Sequence, residues 1–509
     1  MGDILALHAQ AHPDKPAVID DRPGRPVDRY TYAELHARSN QLAACLQELN
    51  VTPSTKIVWC GQNSAGLMVG IHAIRKAGAV AVPLNYRLTP SEAAYVVDNS
   101  DGEIVIVDAE YEPLITGIRP HAPKVREVLV FGGDGALERR LDGYSTDDVT
   151  PAGEAAGRTM IYTSGTTGKP KGAVRNAPVD PMQGASLMAL IGYKPDDVYL
   201  TTGPLYHSGP GGFALVAVGL GNTVVVQHKF DPEDWLRLVD TYKVTTTFTA
   251  PTPIRMICRL PDDVKARYDR SSMRRLIANA APWTLALKQL YLADFPPDSL
   301  WEVYGSTELG VDTVLGPEDH LRKPGSCGRA APGVEIKLFD DEGREVTEPH
   351  VNGELYVRAA NVFSTYYKAD DKYEEDRRGD YHTVGDIAYF DEDGYYYIAD
   401  RKKDMIISGG MNIYPAEIED ALDQSPDVYE VAVIGVPSEE WGESVHAVVV
   451  PAHAGVTAQM VIAFAREHLA GYKVPRSVSF VEEVPKTGSG KVLKRELRAP
   501  YWGAAGAAT

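Results

Sequence analysis

One stretch of the sequence, residues 162–172, combines residue types that can hold a polyphosphate. Its three glycines let the backbone bend and expose N–H groups, and its four Thr and Ser side chains add hydroxyl donors. Lys169 and Lys171 add positive charge. The stretch is not a Walker loop, because Pro170 follows Lys169 where that motif needs serine or threonine. An ordinary solvent-exposed turn is the alternative, and the length of the stretch disfavours it.

Four further stretches carry polar and charged residues suited to nucleotide chemistry. They are residues 304–308 (Tyr-Gly-Ser-Thr-Glu), 383–386 (Thr-Val-Gly-Asp), 400–404 (Asp-Arg-Lys-Lys-Asp) and 485–491 (Pro-Lys-Thr-Gly-Ser-Gly-Lys). With residues 163–172 they resemble, in the same order, the motifs of the adenylate-forming superfamily of acyl-CoA synthetases, carrier-protein adenylation domains and luciferases. Five motifs in the family's order, spread over nearly the whole chain, make a chance match implausible.

The resemblance implies a set of residues that bind ATP and AMP. The phosphate loop would hold the β- and γ-phosphates, residues 279–281 would flank adenine, and Tyr304 would stack on it. Asp386 would accept hydrogen bonds from both ribose hydroxyls, and Arg401 would add a cation near the ribose and the phosphates. The whole set is Thr163, Ser164, Gly165, Thr166, Thr167, Gly168, Lys169, Asn279, Ala280, Ala281, Tyr304, Gly305, Asp386 and Arg401.

The resemblance also assigns catalytic roles to Lys491, Glu308, Thr307 and His207. When a carboxylate attacks the α-phosphorus of ATP, charge accumulates on the phosphoryl oxygens, so catalysis depends on positioning and electrostatic stabilisation. Lys491 would bridge the two anions with a charge on a long, flexible stem. Glu308 would bind Mg²⁺, which prefers carboxylate and phosphate oxygens, and Thr307 would donate to the α-phosphate. Without the motif, Lys491 would be a solvated basic residue.

A glycine-rich stretch, residues 203–212, is expected to connect a strand to a helix that begins near Phe213. In the family this stretch borders the acyl pocket, whereas the structural alternative for His207 is a histidine satisfied by hydrogen bonds. The predicted pocket residues are Tyr206, His207, Ser208, Gly212, Phe248 and Ala250, and Phe213 and Trp283 are expected to add apolar walls. The walls favour a hydrophobic medium- or long-chain, aromatic or otherwise bulky acid over acetate.

A second reaction step, in which a thiol displaces AMP, is also implied by the resemblance. The small domain would rotate about the hinge residue Lys403, so that Lys491 leaves the cleft. Ser408, Gly409 and Gly410 would then form the tunnel for CoA, because a pantetheine arm must pass close to the backbone. ATP, Mg²⁺, CoA and a small carboxylic acid are therefore the expected ligands.

Several functions share these motifs. An acyl-CoA synthetase is the first hypothesis, and a free-standing enzyme that passes its acyl group to a carrier-protein thiol or an amine is the alternative. An amino-acid substrate is disfavoured, because residues 206–213 contain no aspartate to pair with an ammonium group. A non-catalytic nucleotide-binding regulator is disfavoured by the intact Glu308, Asp386, Arg401 and Lys491. Luciferase-like oxygenation uses the same motifs and stays open.

Strand-like and helix-like segments alternate along the first part of the chain. A capping box at Thr31 and Glu34 predicts a helix, and apolar runs such as Lys56–Cys60 predict buried strands. This alternation predicts an α/β fold of parallel-rich sheets layered with helices. A change in composition near residues 391–404 predicts a large domain over residues 1–400 and a small, mobile α+β domain over residues 401–509.

Length, composition and net charge exclude several classes of protein. A chain of 509 residues with 44% hydrophobic residues is expected to be globular with at least two domains, and a net charge of −19 argues against nucleic acid as a partner. Four scattered cysteines, Cys45, Cys60, Cys258 and Cys327, form no CxxC pair and indicate neither disulfides nor a zinc site. The N-terminus lacks a signal-peptide pattern and the longest apolar run is broken by glycines, so we expect a cytoplasmic protein without membrane insertion. The oligomeric state stays open, a homodimer included.

Overall fold

The computed structural model describes residues 3–151, 158–163, 169–176, 181–487 and 490–502. The helices in these residues are α1 (Ile4–Ala11), α2 (Tyr32–Glu48), α3 (Ala65–Ala77), α4 (Pro90–Asn99), α5 (Glu112–Ile118), α6 (Ala136–Leu141), α7 (Pro181–Ile191), α8 (Ser208–Gly219), α9 (Pro232–Tyr242), α10 (Pro251–Cys258), α11 (Asp262–Lys265), α12 (Leu285–Asp294), α13 (Asp370–Glu375), α14 (Pro415–Asp423), α15 (Ala458–His468) and α16 (Lys494–Trp502).

The strands in these residues are β1 (Pro16–Asp20), β2 (Asp28–Thr31), β3 (Lys56–Cys60), β4 (Val80–Leu84), β5 (Gly102–Asp108), β6 (Glu127–Phe131), β7 (Thr159–Thr163), β8 (Lys171–Arg175), β9 (Val198–Thr201), β10 (Thr223–Val226), β11 (Thr246–Thr249), β12 (Arg275–Ala278), β13 (Leu300–Ser306), β14 (Gly310–Leu315), β15 (Arg329–Ala330), β16 (Glu335–Phe339), β17 (Gly353–Arg358), β18 (Thr365–Tyr366), β19 (Arg377–Arg378), β20 (Tyr381–His382), β21 (Asp386–Phe390), β22 (Tyr396–Arg401), β23 (Ile406–Ser408), β24 (Met411–Ile413), β25 (Val428–Ser438), β26 (Gly442–Pro451) and β27 (Ser477–Phe480).

Two parallel-rich sheets form the body of the large domain. Sheet I has the strand order β15-β14-β13-β12-β11-β9-β10-β1-β2, and its strands from β13 to β1 run parallel. Sheet II has the order β18-β8-β7-β4-β3-β5-β6, with β8 and β18 antiparallel to their neighbours. The predicted α/β architecture of parallel-rich sheets and helices is confirmed.

Alternate residues along each strand separate the layers, because successive side chains point to opposite faces of a sheet. Tyr199 packs into the apolar cluster between the two sheets, whereas Leu200 packs into the cluster under α9, α10 and α12. In sheet II, Ile57 packs into the central cluster and Val58 packs against α4 and α5. Helices thus cover both faces of each sheet.

The chain enters α2 through the predicted capping box. The N–H of Glu34 donates to Oγ1 of Thr31 at 3.2 Å, and the N–H of Thr31 donates to Oε2 of Glu34 at 2.8 Å. Thr89 and Glu92 make the same reciprocal pair at the start of α4. Each pair satisfies two backbone donors that a helix leaves unpaired, so these starting points follow from local sequence.

A third sheet, which the sequence analysis did not anticipate, is antiparallel. Sheet III has the order β19-β20-β17-β21-β22, with β16 beside β17. The predicted division after residue 400 falls at the end of β22, and it stays a prediction.

The smaller C-terminal domain is built on a fourth sheet. Sheet IV has the order β24-β23-β26-β25, with β27 beside β26, and α14 and α15 pack on it over an apolar cluster that includes Ile418 and Val461. Among the described residues, no helix has the length and apolarity that a bilayer crossing needs.

Candidate functional site

The predicted phosphate loop joins two paired strands of sheet II. Thr163 ends β7 and stands opposite Lys171, the first residue of β8. The ammonium of Lys169 lies 4.9 Å from the centroid of the Tyr95 ring, a cation–π distance. The other residues predicted for the phosphate loop lie outside the described residues: Ser164, Gly165, Thr166, Thr167 and Gly168.

The predicted adenine site lies at the carboxyl edge of sheet I. Residues 279–281 follow β12, and Tyr304 lies near the end of the adjacent parallel strand β13, so both reach the same edge. The amide of Asn279 donates to the carbonyl of Val303, which ties the loop to that strand. Ala280 has φ of 75°, a left-handed conformation that is uncommon outside glycine and often found at ligand sites.

Three predicted nucleotide-binding residues contact one another. The hydroxyl of Tyr304 donates to Oδ2 of Asp386, and Nε of Arg401 lies 3.3 Å from Oδ1 of the same carboxylate. Asp386 and Arg401 are partners in the register of β21 and β22. Burial alone would lower the pKa of Arg401, but the charges of Asp386 and Asp404 raise it. Asp386 therefore offers a carboxylate beside a permanent cation.

Thr307 and Glu308 lie in the tight connection between β13 and β14. Gly305 makes this connection possible, because a Cβ there would lie 1.9 Å from the carbonyl oxygen of Gly310. Oγ1 of Thr307 lies 2.8 Å from Oγ of Ser208, which joins the predicted α-phosphate residue to the predicted acyl pocket. Glu308 is 8% exposed and offers the oxygen donor that Mg²⁺ prefers, so this residue fits a hard cation.

His207 precedes α8 and is half-buried against the ring of Tyr206. Its ring centroid lies 4.3 Å from that of Tyr206, and within the described part of the chain its Nε2 has no hydrogen-bond partner. Burial, with the nearby charges of Lys491 and Arg87, lowers the pKa of His207 to about 3. The imidazole is therefore neutral at physiological pH, with one buried nitrogen available to a ligand.

An aromatic wall continues from His207 along α8. The rings of Phe213 and Phe248 stack with centroids 5.0 Å apart. Gly209 permits this contact, because a Cβ at that position would lie 2.4 Å from Cζ of Phe248. A Cβ at Gly212 would meet no atom within 4 Å, and this predicted pocket residue is exposed to solvent. Ala250 immediately precedes α10.

Two expectations about this pocket are wrong. The helix begins at Ser208, not near Phe213, so Gly209 and Gly212 belong to α8. Trp283 packs in the cluster under α9 and α10, on the opposite face of sheet I from Phe248, and does not form a pocket wall. The apolar character of Trp283 and Phe248 does not indicate which face of sheet I each side chain covers.

Lys491 reaches the cleft from the C-terminal domain. Its loop lies against the start of α10, since a Cβ at Gly490 would lie 3.4 Å from the Cβ of Ala250. Burial and the charge of Arg401 lower the pKa of Lys491, while the carboxylates of Asp386 and Glu308 oppose that shift. The structure thus brings Lys491 into the electrostatic range of the groups that the motifs predict.

The predicted hinge residue Lys403 borders that cleft, because it interacts electrostatically with Arg401 and Asp386. Lys403 is exposed just after β22, and Gly409 and Gly410 form an exposed two-residue hairpin loop after Ser408. Both glycines have positive φ, 57° and 77°, as a type I′ turn requires. Among the described residues, no contact joins Ser408, Gly409 or Gly410 to Lys491, whereas Lys403 and Lys491 both interact electrostatically with Asp386 and Arg401.

The two domains are joined by a buried ion pair. Arg255 of α10 donates to both oxygens of Asp423 at 2.6 and 3.1 Å, and their side chains are 11% and 3% exposed. Arg255 also donates to the carbonyl of Tyr429, and the Thr284 hydroxyl donates to Asp423. This contact holds the C-terminal domain in the orientation that places Lys491 in the cleft.

Sequence analysis missed three residues at the site. Arg175 donates to the carbonyls of Thr307, at 2.7 Å, and Asn361. The Tyr366 hydroxyl donates to Glu308. Asp312 is fully buried, and no described residue bonds its carboxylate; burial and Asp386 raise its pKa well above the usual range. The position of Arg175 shortly after the phosphate loop in the sequence was the one available signal.

Comparison with known proteins identifies relatives that align with nearly the whole chain, including the residues of this site. A family model described as AMP-binding enzyme matches residues 5–367, and one described as AMP-binding enzyme C-terminal domain matches residues 417–491. A long-chain-fatty-acid–CoA ligase of Mycobacterium tuberculosis is 33% identical over 98% of each chain. A fatty acid–[acyl-carrier-protein] ligase of Streptomyces coeruleorubidus is 34% identical, over 98% of this chain and 96% of that protein. The crystal structure of ATP-bound MatB from Rhodopseudomonas palustris superposes with a TM-score of 0.87 at 30% identity, over 98% of this chain and 99% of that one.

Proposed function

Since this chain belongs to the AMP-binding enzyme family, as its motifs predicted, we propose that it activates a hydrophobic carboxylic acid with MgATP and transfers the acyl group to CoA. Membership of this family and full-length similarity to acid–thiol ligases make the chain an ATP-dependent, AMP-forming acid–thiol ligase. The identities of the acid and of the thiol are the proposed part.

The observation that carries the proposal is the convergence of charged groups from both domains on one cleft. Lys491 of the C-terminal domain interacts electrostatically with Glu308, Asp386 and Arg401, and with the neutral His207 at the pocket. A cation placed between an acyl pocket and a nucleotide site is suited to bring two anions together. A protein that only bound nucleotide would have no need of this lysine.

The first step would join the acid to AMP. A carboxylate oxygen of the acid attacks the α-phosphorus of ATP, and the bond to the bridging oxygen of pyrophosphate breaks. Lys491 neutralises charge on the acid and the α-phosphate, while Thr307 donates to the phosphoryl oxygens. A magnesium ion held by Glu308 would neutralise charge on the departing pyrophosphate.

The second step would release AMP. The thiol sulfur attacks the acyl carbonyl, the bond to the phosphate oxygen of AMP breaks, and a thioester forms. Lys403 is proposed as the hinge for this step, and the hairpin of Ser408, Gly409 and Gly410 as the tunnel wall. The hairpin supports that role, because it exposes backbone without side chains.

The acid is proposed to be hydrophobic because the predicted pocket is aromatic. Tyr206, Phe213 and Phe248 are all buried in the central cluster. Burying apolar surface gives about 25 cal/mol per Å², so a fatty or aromatic acid gains binding energy that acetate lacks. The fatty-acid ligases among the relatives support this class.

A carrier-protein thiol is the second candidate acceptor. The observation that favours it is the 34% identity to a ligase that acts on acyl-carrier protein. Both acceptors present a thiol to the same intermediate, so the chemistry of the cleft does not distinguish them.

A screen of carboxylic acids tests the proposal. Purified protein is given MgATP and acids from acetate to long-chain and aromatic acids, and pyrophosphate release is measured with and without CoA. We expect release with hydrophobic acids, little with acetate, and acyl-CoA by mass spectrometry when CoA is present. Acyl adenylate that accumulates with CoA but reacts with a carrier protein would establish the second candidate. If no acid in the panel causes pyrophosphate release, both candidate functions are refuted.

A further inference from the structure

The carboxylate of Glu308 is held by a tyrosine. The hydroxyl of Tyr366 donates to Oε1 of Glu308 across 3.2 Å, and the two residues are 7% and 8% exposed. Oε2 of Glu308 receives no hydrogen bond from any residue that the structure describes. The phenol therefore occupies one carboxylate oxygen and leaves the other for a ligand.

The backbone around this pair is tied to the strand that follows the phosphate loop. The N–H of Phe363 donates to the carbonyl of Glu308 at 2.7 Å. Tyr366 lies in β18, where it pairs with Ala173 of β8. Arg175, at the end of β8, donates to the carbonyl of Thr307. Glu308 is thus connected through both its main chain and its side chain to the β8–β18 pair.

The ring of Tyr366 lies between opposite charges. The ammonium of Lys171 lies 5.6 Å from the ring centroid, and the hydroxyl points to the Glu308 carboxylate. This arrangement orients the phenol as a hydrogen-bond donor to Glu308.

We propose that Tyr366 is a positioning residue for the metal-binding carboxylate: its hydroxyl sets the orientation of Glu308 and thereby directs the second oxygen to the divalent cation that accompanies ATP. The proposal rests on the proposed function, because it uses Glu308 as the ligand of that cation. Hydrogen bonds to charged acceptors are among the stronger ones in proteins, so the loss of one should be measurable.

The next residue supplies a matched control. The hydroxyl of Tyr367 donates to Oδ2 of Asp101 at 2.7 Å, and its N–H donates to the carbonyl of Gly172. Tyr366→Phe and Tyr367→Phe each remove one hydroxyl bonded to a carboxylate and keep the ring. Only the first changes the surroundings of Glu308.

The decisive measurement is a binding titration without any acid. The probe is Mn²⁺ with the ATP analogue that carries a methylene group between its α- and β-phosphates, followed by calorimetry, and AMP in EDTA is titrated in parallel. We expect Tyr366→Phe to weaken binding of the metal–nucleotide about tenfold, with AMP affinity and thermal midpoint unchanged. Tyr367→Phe should change neither affinity. In turnover, the Mg²⁺ concentration for half-maximal pyrophosphate release should rise by a similar factor.

An unchanged affinity for the metal–nucleotide in Tyr366→Phe would overturn the proposal. An equal loss of AMP affinity would also overturn it, because the hydroxyl would then support the whole nucleotide pocket and not the cation. If no acid is activated by the wild-type protein, the proposed function fails, yet the acid-free titration still decides the role of Tyr366.

Discussion

Replacing Asp423 by asparagine is expected to loosen the docking of the C-terminal domain without unfolding either domain. The Asp423 carboxylate accepts two hydrogen bonds from Arg255 and one from the Thr284 hydroxyl. These bonds cross the interface between the domains, and they accompany the orientation in which Lys491 occupies the cleft. The Arg255 side chain is 11% exposed. Removing the charge of Asp423 therefore leaves a largely buried guanidinium without its counter-ion.

The expected loss of docking free energy follows from the two hydrogen bonds between Arg255 and Asp423. Each is assigned about 1.5 kcal/mol, the low end of the range, because both groups regain water when the domains separate. Their sum of about 3 kcal/mol corresponds to a roughly 100-fold fall in the ratio of docked to undocked protein. If docking limits the first step, adenylation should slow by up to about this factor.

The assay separates the two half-reactions. Pyrophosphate release from acid and MgATP reports the docked orientation, and single-turnover thioester formation from supplied acyl adenylate reports the step that needs Lys491 to leave. We expect Asp423→Asn and Arg255→Gln to slow the first step and to leave the second unchanged or faster. The double variant should resemble either single variant, because both singles break the same pair.

An ion pair inside the C-terminal domain serves as the control. Nζ of Lys473 lies 2.6 Å from Oε1 of Glu417. Lys473→Gln removes this charge pair, which does not cross the interface between the domains. It should leave both half-reactions unchanged. Equal slowing of both steps by Asp423→Asn, or additive effects in the double variant, would refute the reasoning that this pair acts through domain orientation.

Four further outcomes are expected. Lys491→Ala should abolish adenylation and spare thioester formation from supplied acyl adenylate, because the lysine stabilises only the first transition state; equal loss in both half-reactions would contradict its role. Asp386→Ala should weaken ATP and AMP alike in equilibrium binding, since both carry the ribose hydroxyls, and an unchanged AMP affinity would exclude the ribose contact. Lys403→Pro should impair thioester formation more than adenylation in single-turnover kinetics, because proline fixes φ at the proposed hinge; undiminished thioester formation would argue against domain rotation. Burial lowers the pKa of His72 to about 3, so the folded protein keeps this imidazole neutral while the unfolded chain takes up a proton below about pH 6.5. The stabilisation is present above that pH and is lost on acidification, by about 2 kcal/mol at pH 5 (1.5 units at 1.36 kcal/mol each), so His72→Gln should reduce the loss of unfolding free energy between pH 7 and pH 5.

The local elements could be predicted from the sequence because neighbouring residues determine them. The Thr31–Glu34 capping box lies within one helical turn, and its two hydrogen bonds form wherever the helix begins. The apolar runs that became β3 and β5 are continuous because parallel strands are covered on both faces. The antiparallel sheet III was not anticipated, although all its strands lie within residues 335–401 and two of its pairs, β19–β20 and β21–β22, are consecutive in the chain.

The chemistry of the site was also predictable, because the motifs carry it in residue types and spacing. Family membership confirmed the resemblance that five motifs indicated. The structure brings Tyr304, Asp386 and Arg401 into contact, although the roles assigned to them stay predictions. The position of Lys491 beside that group depends on how the second domain docks, which no local pattern encodes.

Only the tertiary structure decided which side chains support the site. Trp283 and Phe248 are equally apolar in sequence, yet packing sends them to opposite faces of sheet I. Tyr366 and Tyr367 are identical neighbours, but Tyr366 ends β18 and donates its hydroxyl to Glu308, whereas Tyr367 begins the following turn and donates to Asp101. The sequence by itself determined the local elements and the reactive groups, because these depend on neighbouring residues. The partners of those groups depend on strand register and domain docking, which form only when distant parts of the chain pack together.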